Sequence, residues 1–304
     1  MSAPFGFINA FKPPGPSSAA FGNWVKRACG GAAVGHWGTL DPRACGVLVL
    51  GVGKATRLFP LIADSRKQYV FELIAGEQTD SGDGAGQVIA RAQVPDDWKR
   101  RLPDAAAALL GPGTQLPPMH SAIKVQGKPL YRSARAGVTV PRAPRATTLY
   151  KLQVLPDALG TRSARLYVEC DAGTYVRVLC EDLGRHIGLP ARMGSLLRVA
   201  SGPFTLRESI VPSRIAADFR ACLIDPLSVL HNPRVELDEA GARRFNAGNE
   251  IRLTLNSVGG DWKIAPNSNE NALVTHQGAL IGIGVVFTRD ALTILAPMRV
   301  FAAQ

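Results

Sequence analysis

The sequence predicts an α+β fold in two parts. Segments with strand and helix character mix without the regular βαβ alternation of a doubly wound sheet, and no internal repeat of about 20 to 50 residues is present. The texture then changes near His231-Asn232-Pro233, after which only short strand-like segments and polar turns follow. With 304 residues, 46% of them apolar, the chain can bury a core in one large or two smaller domains. It has neither the low hydrophobicity of a disordered chain, nor the glycine period of collagen, nor the run of about 18 to 20 apolar residues that spans a bilayer.

Each element follows from local pattern. Phe7-Ile8-Asn9-Ala10-Phe11 reads as a short strand ended by the turn Lys12-Pro13-Pro14-Gly15-Pro16. Ser17 is placed to cap a helix carrying Phe21, Trp24, Val25 and Ala28 at helical spacing, with Gly30-Gly31 past its end. A glycine-rich loop, residues 35 to 42, feeds an apolar strand from Val47 to Leu50. Dense β-branched and aromatic residues mark strands at Tyr69 to Ala75 and Leu166 to Cys170. Val178 to Ile187 reads as a helix with Gly188 in the C-cap position. Beyond His231, strands are expected at Ile251 to Leu255, Leu280 to Phe287 and Leu292 to Leu295, with Asn267-Ser268-Asn269-Glu270-Asn271 as a turn, forming a small β-rich domain.

The formal charge is +11, and its location says more than its total. Residues 1 to 63 carry six bases (Lys12, Lys26, Arg27, Arg43, Lys54, Arg57) and a single acid, Asp41. Residues 105 to 156 carry seven bases (Lys124, Lys128, Arg132, Arg135, Arg142, Arg145, Lys151) and no acid, while the remainder of the chain is close to neutral. Two confined basic segments suit either a polyanion-binding surface or a solvated charge run. Five cysteines, none at CxxC spacing, read as reduced thiols. The N-terminus lacks a basic region ahead of an apolar stretch, so a cytoplasmic protein is expected.

Several motifs fail on inspection. Gly51-Val52-Gly53-Lys54-Ala55-Thr56 resembles a phosphate loop but has Leu48 where its first glycine belongs and Ala55 where Ser or Thr follows the lysine. Asp80-Ser81-Gly82-Asp83-Gly84 resembles a calcium loop, yet glycines occupy ligand positions and Arg91 stands where the closing glutamate belongs, so it reads as a turn. The five histidines have no metal-binding spacing, and no metal site is expected. Asp41 is different: it precedes a proline, adjoins an apolar strand and stands alone among cations, which should keep it ionised and suit it to act as a nucleophile or electrostatic stabiliser. The alternative is a carboxylate that caps a turn. Arg177, near a helix start where the dipole disfavours a cation, requires a nearby anion. Asp41, Asp171, Glu181 and Asp182 all qualify.

At these residues the sequence resembles the TruB family of tRNA pseudouridine synthases. The run Gly35-His36-Trp37-Gly38-Thr39-Leu40-Asp41-Pro42, continuing through Gly46-Val47-Leu48 to Gly53-Lys54-Ala55-Thr56, is similar to the family signature GHTGTLDP followed by ATGVLxxxxGxATK. Further blocks match in order: Phe11 to Gly15, Lys67-Gln68-Tyr69, Gln78 to Gly86, Ser121 to Lys124 with Gly127 to Tyr131, Gly173 to Arg177, and Leu196-Leu197-Arg198 running into Ser201 to Phe204. The match is good over about residues 5 to 210 and weak beyond.

The resemblance implies a mixed-sheet catalytic domain over residues 1–232 with a thumb insertion at about 112–150, and a C-terminal PUA-like RNA-binding domain over 233–304. It implies isomerisation of uridine to pseudouridine at position 55 of the tRNA T-arm, by base flipping, with no cofactor and no metal. Asp41 corresponds to the catalytic aspartate, Tyr69 to the tyrosine that stacks on the base and helps remove its C5 proton, and Arg177 to the arginine that pairs with the aspartate. His36 corresponds to the residue that fills the gap left by the flipped base, Tyr175 and Leu196 to residues lining the uracil pocket, and Lys12 to a lysine near the active-site floor, in a functional or supporting role. Lys124, Lys128, Arg132, Arg135 and Arg142 would contact RNA phosphates from the thumb. Trp37, Cys45 and Leu197 depart from the family pattern and bear on substrate preference. A tRNA stem-loop is the implied partner, with no membrane or protein partner and a monomer expected. Two rival readings remain open: an RNA-folding binder with secondary catalysis, and a guide-dependent enzyme for ribosomal RNA.

Overall fold

The computed structural model describes residues 3–121, 124–125, 128–130, 138, 140–156, 160–253 and 270–301, with the backbone alone at 124–125 and 128–129. In chain order the elements are β1 (Gly6–Lys12), α1 (Ser18–Ala28), β2 (Val34–Trp37), β3 (Cys45–Val52), β4 (Lys67–Ala75), β5 (Glu77–Thr79), β6 (Val88–Arg91), α2 (Leu102–Ala108), β7 (Gly111–Gln115), β8 (Lys124–Val125), β9 (Lys128–Pro129), β10 (Arg145–Val154) and β11 (Ser163–Cys170). There follow α3 (Val176–Ile187), β12 (Ala191–Ser201), β13 (Phe204–Thr205), α4 (Pro212–Ala217), β14 (Arg234–Glu236), α5 (Glu239–Asn246), β15 (Ile251–Arg252), β16 (Glu270–His276), β17 (Ala279–Arg289) and β18 (Leu292–Val300).

The fold is α+β. Nine strands form one mixed sheet in the order β1-β3-β12-β4-β11-β10-β7, with β2 added on β3 and β13 on β12. All its pairings are antiparallel except one: β12 meets β3 in parallel, Leu197 opposite Cys45 and Arg198 opposite Gly46. Along β4 burial alternates strictly, so Lys67, Tyr69, Phe71, Leu73 and Ala75 share the covered face, as a period of two requires. Helices α1 and α3 pack on that face through Phe21, Val25, Leu179 and Leu183.

Local signals set the helix ends. Ser17 caps α1, its hydroxyl accepting from the Ala20 amide at 3.1 Å, and Gly188 ends α3 at φ 74°, where a side chain would be strained. One expectation is corrected: the first half of the glycine-rich segment is strand β2, paired with β3 from Val34↔Val52 to Trp37↔Val49. Glycine there serves close packing, since a Cβ on Gly35 would lie 3.1 Å from the Thr56 methyl. The turn expected at 267–271 lies partly outside the described residues, and Glu270 and Asn271 already belong to β16.

Strands β14 to β18 form a second, five-stranded sheet. It has its own core around Val235, Phe245, Val274 and Leu295. A separate apolar cluster joins the two sheets, with Phe7, Val47 and Phe204 from the first, Leu273 and Ile283 from the second, Leu58 from the 3-10 turn that follows β3 and Phe301 from just past β18. No helix among the described residues is long and apolar enough to cross a membrane.

Candidate active site

Asp41 sits in a loop in which every neighbouring peptide is held. Arg198 donates from Nη2 to the Gly38 carbonyl and from Nη1 to that of Thr39, both at 3.3 Å. The Ser18 hydroxyl donates to the Leu40 carbonyl at 2.9 Å and accepts from the Leu40 amide at 2.8 Å. The Pro42 carbonyl accepts from the Gly15 amide at 2.8 Å and from Lys12 Nζ at 3.3 Å. A loop so pinned has little conformational entropy left to lose when substrate arrives, so its carboxylate is pre-organised.

The anion that Arg177 requires is Asp41. Nε lies 3.0 Å from Oδ2 and Nη2 3.3 Å from Oδ1, a bidentate pair in which the arginine is 5% and the aspartate 32% exposed. Arg177 also donates from Nη1 to the Ser81 carbonyl at 3.1 Å and from Nη2 to that of His120 at 2.8 Å, so its guanidinium is nearly saturated and cannot swing away. Of the other acids the sequence offered, Asp182 pairs with Arg185 and Asp171 accepts from Tyr150.

The pair lies in a cleft of about 330 Å³ lined by residues that include Lys67, Tyr69, Ser121, Tyr175, Met193, Leu196 and Arg198. Tyr69 and Leu196 come from adjacent strands, with Leu196 opposite Phe71. Gln115 on β7 fixes Tyr175, accepting from its amide at 2.9 Å and donating to its carbonyl at 3.3 Å. The cleft therefore joins a carboxylate, a phenol and apolar walls, a combination suited to a flat, partly polar ring.

Burial, which a count of cations along the chain leaves out, also acts on Asp41. Burial is the largest influence on Asp41 and raises its pKa above the ordinary value; Arg177 and Lys12 oppose this, and Asp83 adds to it. The basic surround thus offsets burial without overcoming it. Burial also raises the Tyr69 phenol, with the Arg198 charge working against it. Lys67 is pushed down to about 7, first by burial and then by Arg198. Its Nζ donates to Ser201 Oγ at 2.9 Å and sits 3.5 Å from the centre of the Trp37 ring, a cation–π contact in place of a carboxylate.

Two sequence-predicted residues do not line the cleft. Lys12 is wholly buried beneath it, with Nζ donating to the carbonyls of Pro13 and Pro16 at 2.9 Å as well as to Pro42. His36 lies on β2 opposite Leu50, and burial, helped by the Arg198 charge, lowers its pKa. Among the thumb cations, Lys124 and Lys128 stand on the short pair β8–β9, but their side chains, and all of Arg132 and Arg135, fall outside the described residues. Arg142 is half-buried, its Nε and Nη1 shielded without a partner among the described residues. Sequence reasoning missed Ser18, Lys67 and Arg198 as parts of the site. Of these Lys67 and Arg198 carried a signal, since each stands in a block that matches the family pattern, and Ser18 carried none.

Residues 26–176 match the family described as TruB family pseudouridylate synthase (N terminal domain). The tRNA pseudouridine synthase B of Symbiobacterium thermophilum is 42% identical over 245 residues, covering 80% of this chain and 82% of its own length. That of Heliobacterium modesticaldum is 33% identical over 303 residues, 97% of this chain and 95% of the relative. Among solved structures, a Cbf5-Nop10-Gar1 complex superimposes with a TM-score of 0.69 at 23% identity, over 98% of this chain and 85% of that chain. An H/ACA RNP bound to a substrate RNA containing 2′-deoxyuridine gives 0.67 at 22%, over 98% and 85%. At such identities the likeness to these structures concerns the fold.

Proposed function

From membership of the TruB family of pseudouridylate synthases, to which this chain belongs, we propose that it isomerises uridine to pseudouridine in the T-arm of tRNA, at position 55. The N1–C1′ bond breaks, a C5–C1′ bond forms, and the C5 proton leaves while N1 gains one, so nothing is consumed. The observation that carries this reading is the bidentate Asp41–Arg177 pair in a cleft walled by Tyr69 and Leu196.

Asp41 supplies the electron pair, either by adding to C1′ or by assisting elimination to a glycal. Arg177 holds the carboxylate at one orientation and opposes the effect of its burial. Tyr69 stacks on the turning base and is placed to help remove the C5 proton, Leu196 and Tyr175 bound the ring, and Lys12 braces the loop from below. A stacked uridine cannot reach this depth, so it is flipped at a cost of a few kcal/mol, with His36 filling its place. Residues 1–232 form the catalytic unit, the insertion at about 112–150 clamps the stem through Lys124, Lys128, Arg132, Arg135 and Arg142, and 233–304 form a PUA-like domain that adds RNA contacts. The enzyme acts in the cytoplasm as a monomer without cofactor.

Incubation of purified protein with an unmodified T-arm stem-loop, followed by mapping of the product, tests this. Conversion at one uridine is expected with the unaltered protein and none with Asp41→Asn. Inactivity on the bare stem-loop overturns the reading in favour of a guide-dependent enzyme. Normal conversion by Asp41→Asn removes Asp41 from its role.

A further inference from the structure

Arg198 is 1% exposed, yet no carboxylate pairs with it among the described residues. Its hydrogen bonds go to main-chain carbonyls alone: Nε to Val47 at 2.7 Å, Nη1 to Thr39 and Nη2 to Gly38, each at 3.3 Å. Burying a charge is costly even when its donors are met, and an apolar side chain of the same size would serve packing as well or better. The cation is therefore explained by what it holds.

A guanidinium has five N–H donors in a rigid fork, and the bonds to Gly38, Thr39 and Val47 leave donors over. The side chain across the strand pair is Tyr69: in the register of β12 on β4 it stands directly opposite Arg198, and both residues line the cleft. Burial pushes the Tyr69 phenol up, and the first influence against it is the Arg198 charge, as two groups that face each other require. The topology shows why the link must come from β12. The loop bearing Asp41 leads into β3, Tyr69 is on β4, and β12 is the strand between them. Arg198 thus grips two peptides of the Asp41 loop on one side and faces the phenol on the other.

We propose that Arg198 is a positioning residue for the isomerisation, fixing the separation of the Asp41 carboxylate and the Tyr69 hydroxyl from the strand between them; this rests on the function proposed above. The reaction handles one ring twice, at the N1–C1′ bond beside Asp41 and at C5 beside Tyr69, and the ring turns in between. Two groups on different elements must hold one spacing through both steps, because rate is sensitive to small displacements of a reacting group. Arg198 acts through these two groups, so its loss should depress turnover and spare RNA affinity.

The test measures binding and single-turnover conversion of a T-arm stem-loop by Arg198→Lys, Tyr69→Phe and the double variant. Lysine keeps the charge but lacks the fork that reaches several carbonyls at once. Arg198→Lys is expected to lower the rate about 100-fold, the loss that a displacement of about 1 Å brings, with Kd within about threefold. Since both changes act on one linked pair, the double variant should lose less than the product of the two single losses. Losses that multiply, a rate that only tracks the folded fraction, an unchanged rate, or a loss confined to Kd each overturn the proposal. Where Arg198→Lys does not fold, Gly38→Ala carries the same test: φ 78° strains any side chain there, and its Cβ would stand 3.5 Å from Nη1, so the Gly38 carbonyl shifts on the guanidinium while Arg198 stays. It too should lower the rate at constant Kd and lose less than multiplicatively with Tyr69→Phe, and multiplying losses overturn the proposal. Failure of the unaltered protein to convert the stem-loop counts instead against the proposed function, whereas normal conversion with multiplying losses counts against Arg198 alone.

Discussion

In the proposed reaction Asp41 acts as a carboxylate where burial resists its charge, and the size of that resistance depends on Arg177. The acid limb of the turnover–pH profile should therefore fall above the ordinary aspartate range, because activity is lost as pH drops through a raised pKa. Arg177→Met removes the largest opposing influence and should shift that limb to still higher pH, depressing kcat more than RNA affinity; a pure affinity loss would count against the pair's role. It should also cost about 3 to 5 kcal/mol where Asp41 remains charged without its partner. Lys67 gives a second pH effect of known sign. Its folded value of about 7 lies below the ordinary 10.5, so between these pH values the unfolded chain binds more protons and this group makes stability rise with pH, by at most about 1.4 kcal/mol per unit. Below pH 7 its penalty is full. Lys67→Met should exceed the unaltered protein in stability most at low pH, the gap closing toward pH 10 in denaturant titrations; a gap independent of pH would contradict this. Asp41 was legible in the sequence as a lone acid among cations, but its pKa was not, because counting neighbours along the chain cannot weigh burial. Arg198 was illegible as a brace for a different reason: its partners Gly38 and Thr39 are about 160 residues away and are reached only through the sheet.

At the scale of elements, β12 is the member on which the site depends. It carries Leu196 and Arg198 between the strand that follows Asp41 and the strand that bears Tyr69. Its parallel contact with β3 is tight at Gly46, which has φ 107° and where a Cβ would lie 2.3 Å from the Arg198 carbonyl oxygen. Gly46→Ala combines backbone strain with a clash against backbone and should destabilise by about 3 kcal/mol or more, with activity falling further than the folded fraction because Arg198 and its grip on the Asp41 loop move together. Thermal melting and an assay at a temperature where the variant is still folded separate the two effects. Elements whose signals are local were legible: the cap at Ser17, the stop at Gly188, the β-branched and aromatic run of β4. Strand β2 was not, since a run rich in glycine looks like a loop until the neighbour it makes room for, Thr56, is in place. The register shift of β10 on β11 between Leu149 and Lys151, which makes Tyr150 an extra residue, was equally hidden, because it belongs to a pair of strands and not to either one.

For the molecule as a whole, the apolar cluster between the two sheets decides how the parts behave together. The change of texture at residue 231 was legible because composition shifts there, but the cluster was not, since Phe7, Leu273, Ile283 and Phe301 come from opposite ends of the chain. Phe301→Ala should cost about 3 kcal/mol and, if the cluster couples the sheets, lower a single melting transition. A split into two transitions would show that the sheets unfold independently. The parallel contact of β12 with β3 has a consequence for how activity is acquired. Cys45 and Leu196, 3.7 Å apart between Sγ and the carbonyl oxygen, are separated by 151 residues, and contacts so distant in sequence close slowly. A nascent or refolding chain could form its hairpins early and still hold no working carboxylate, so recovery of turnover during refolding would time the closure of that one strand pair.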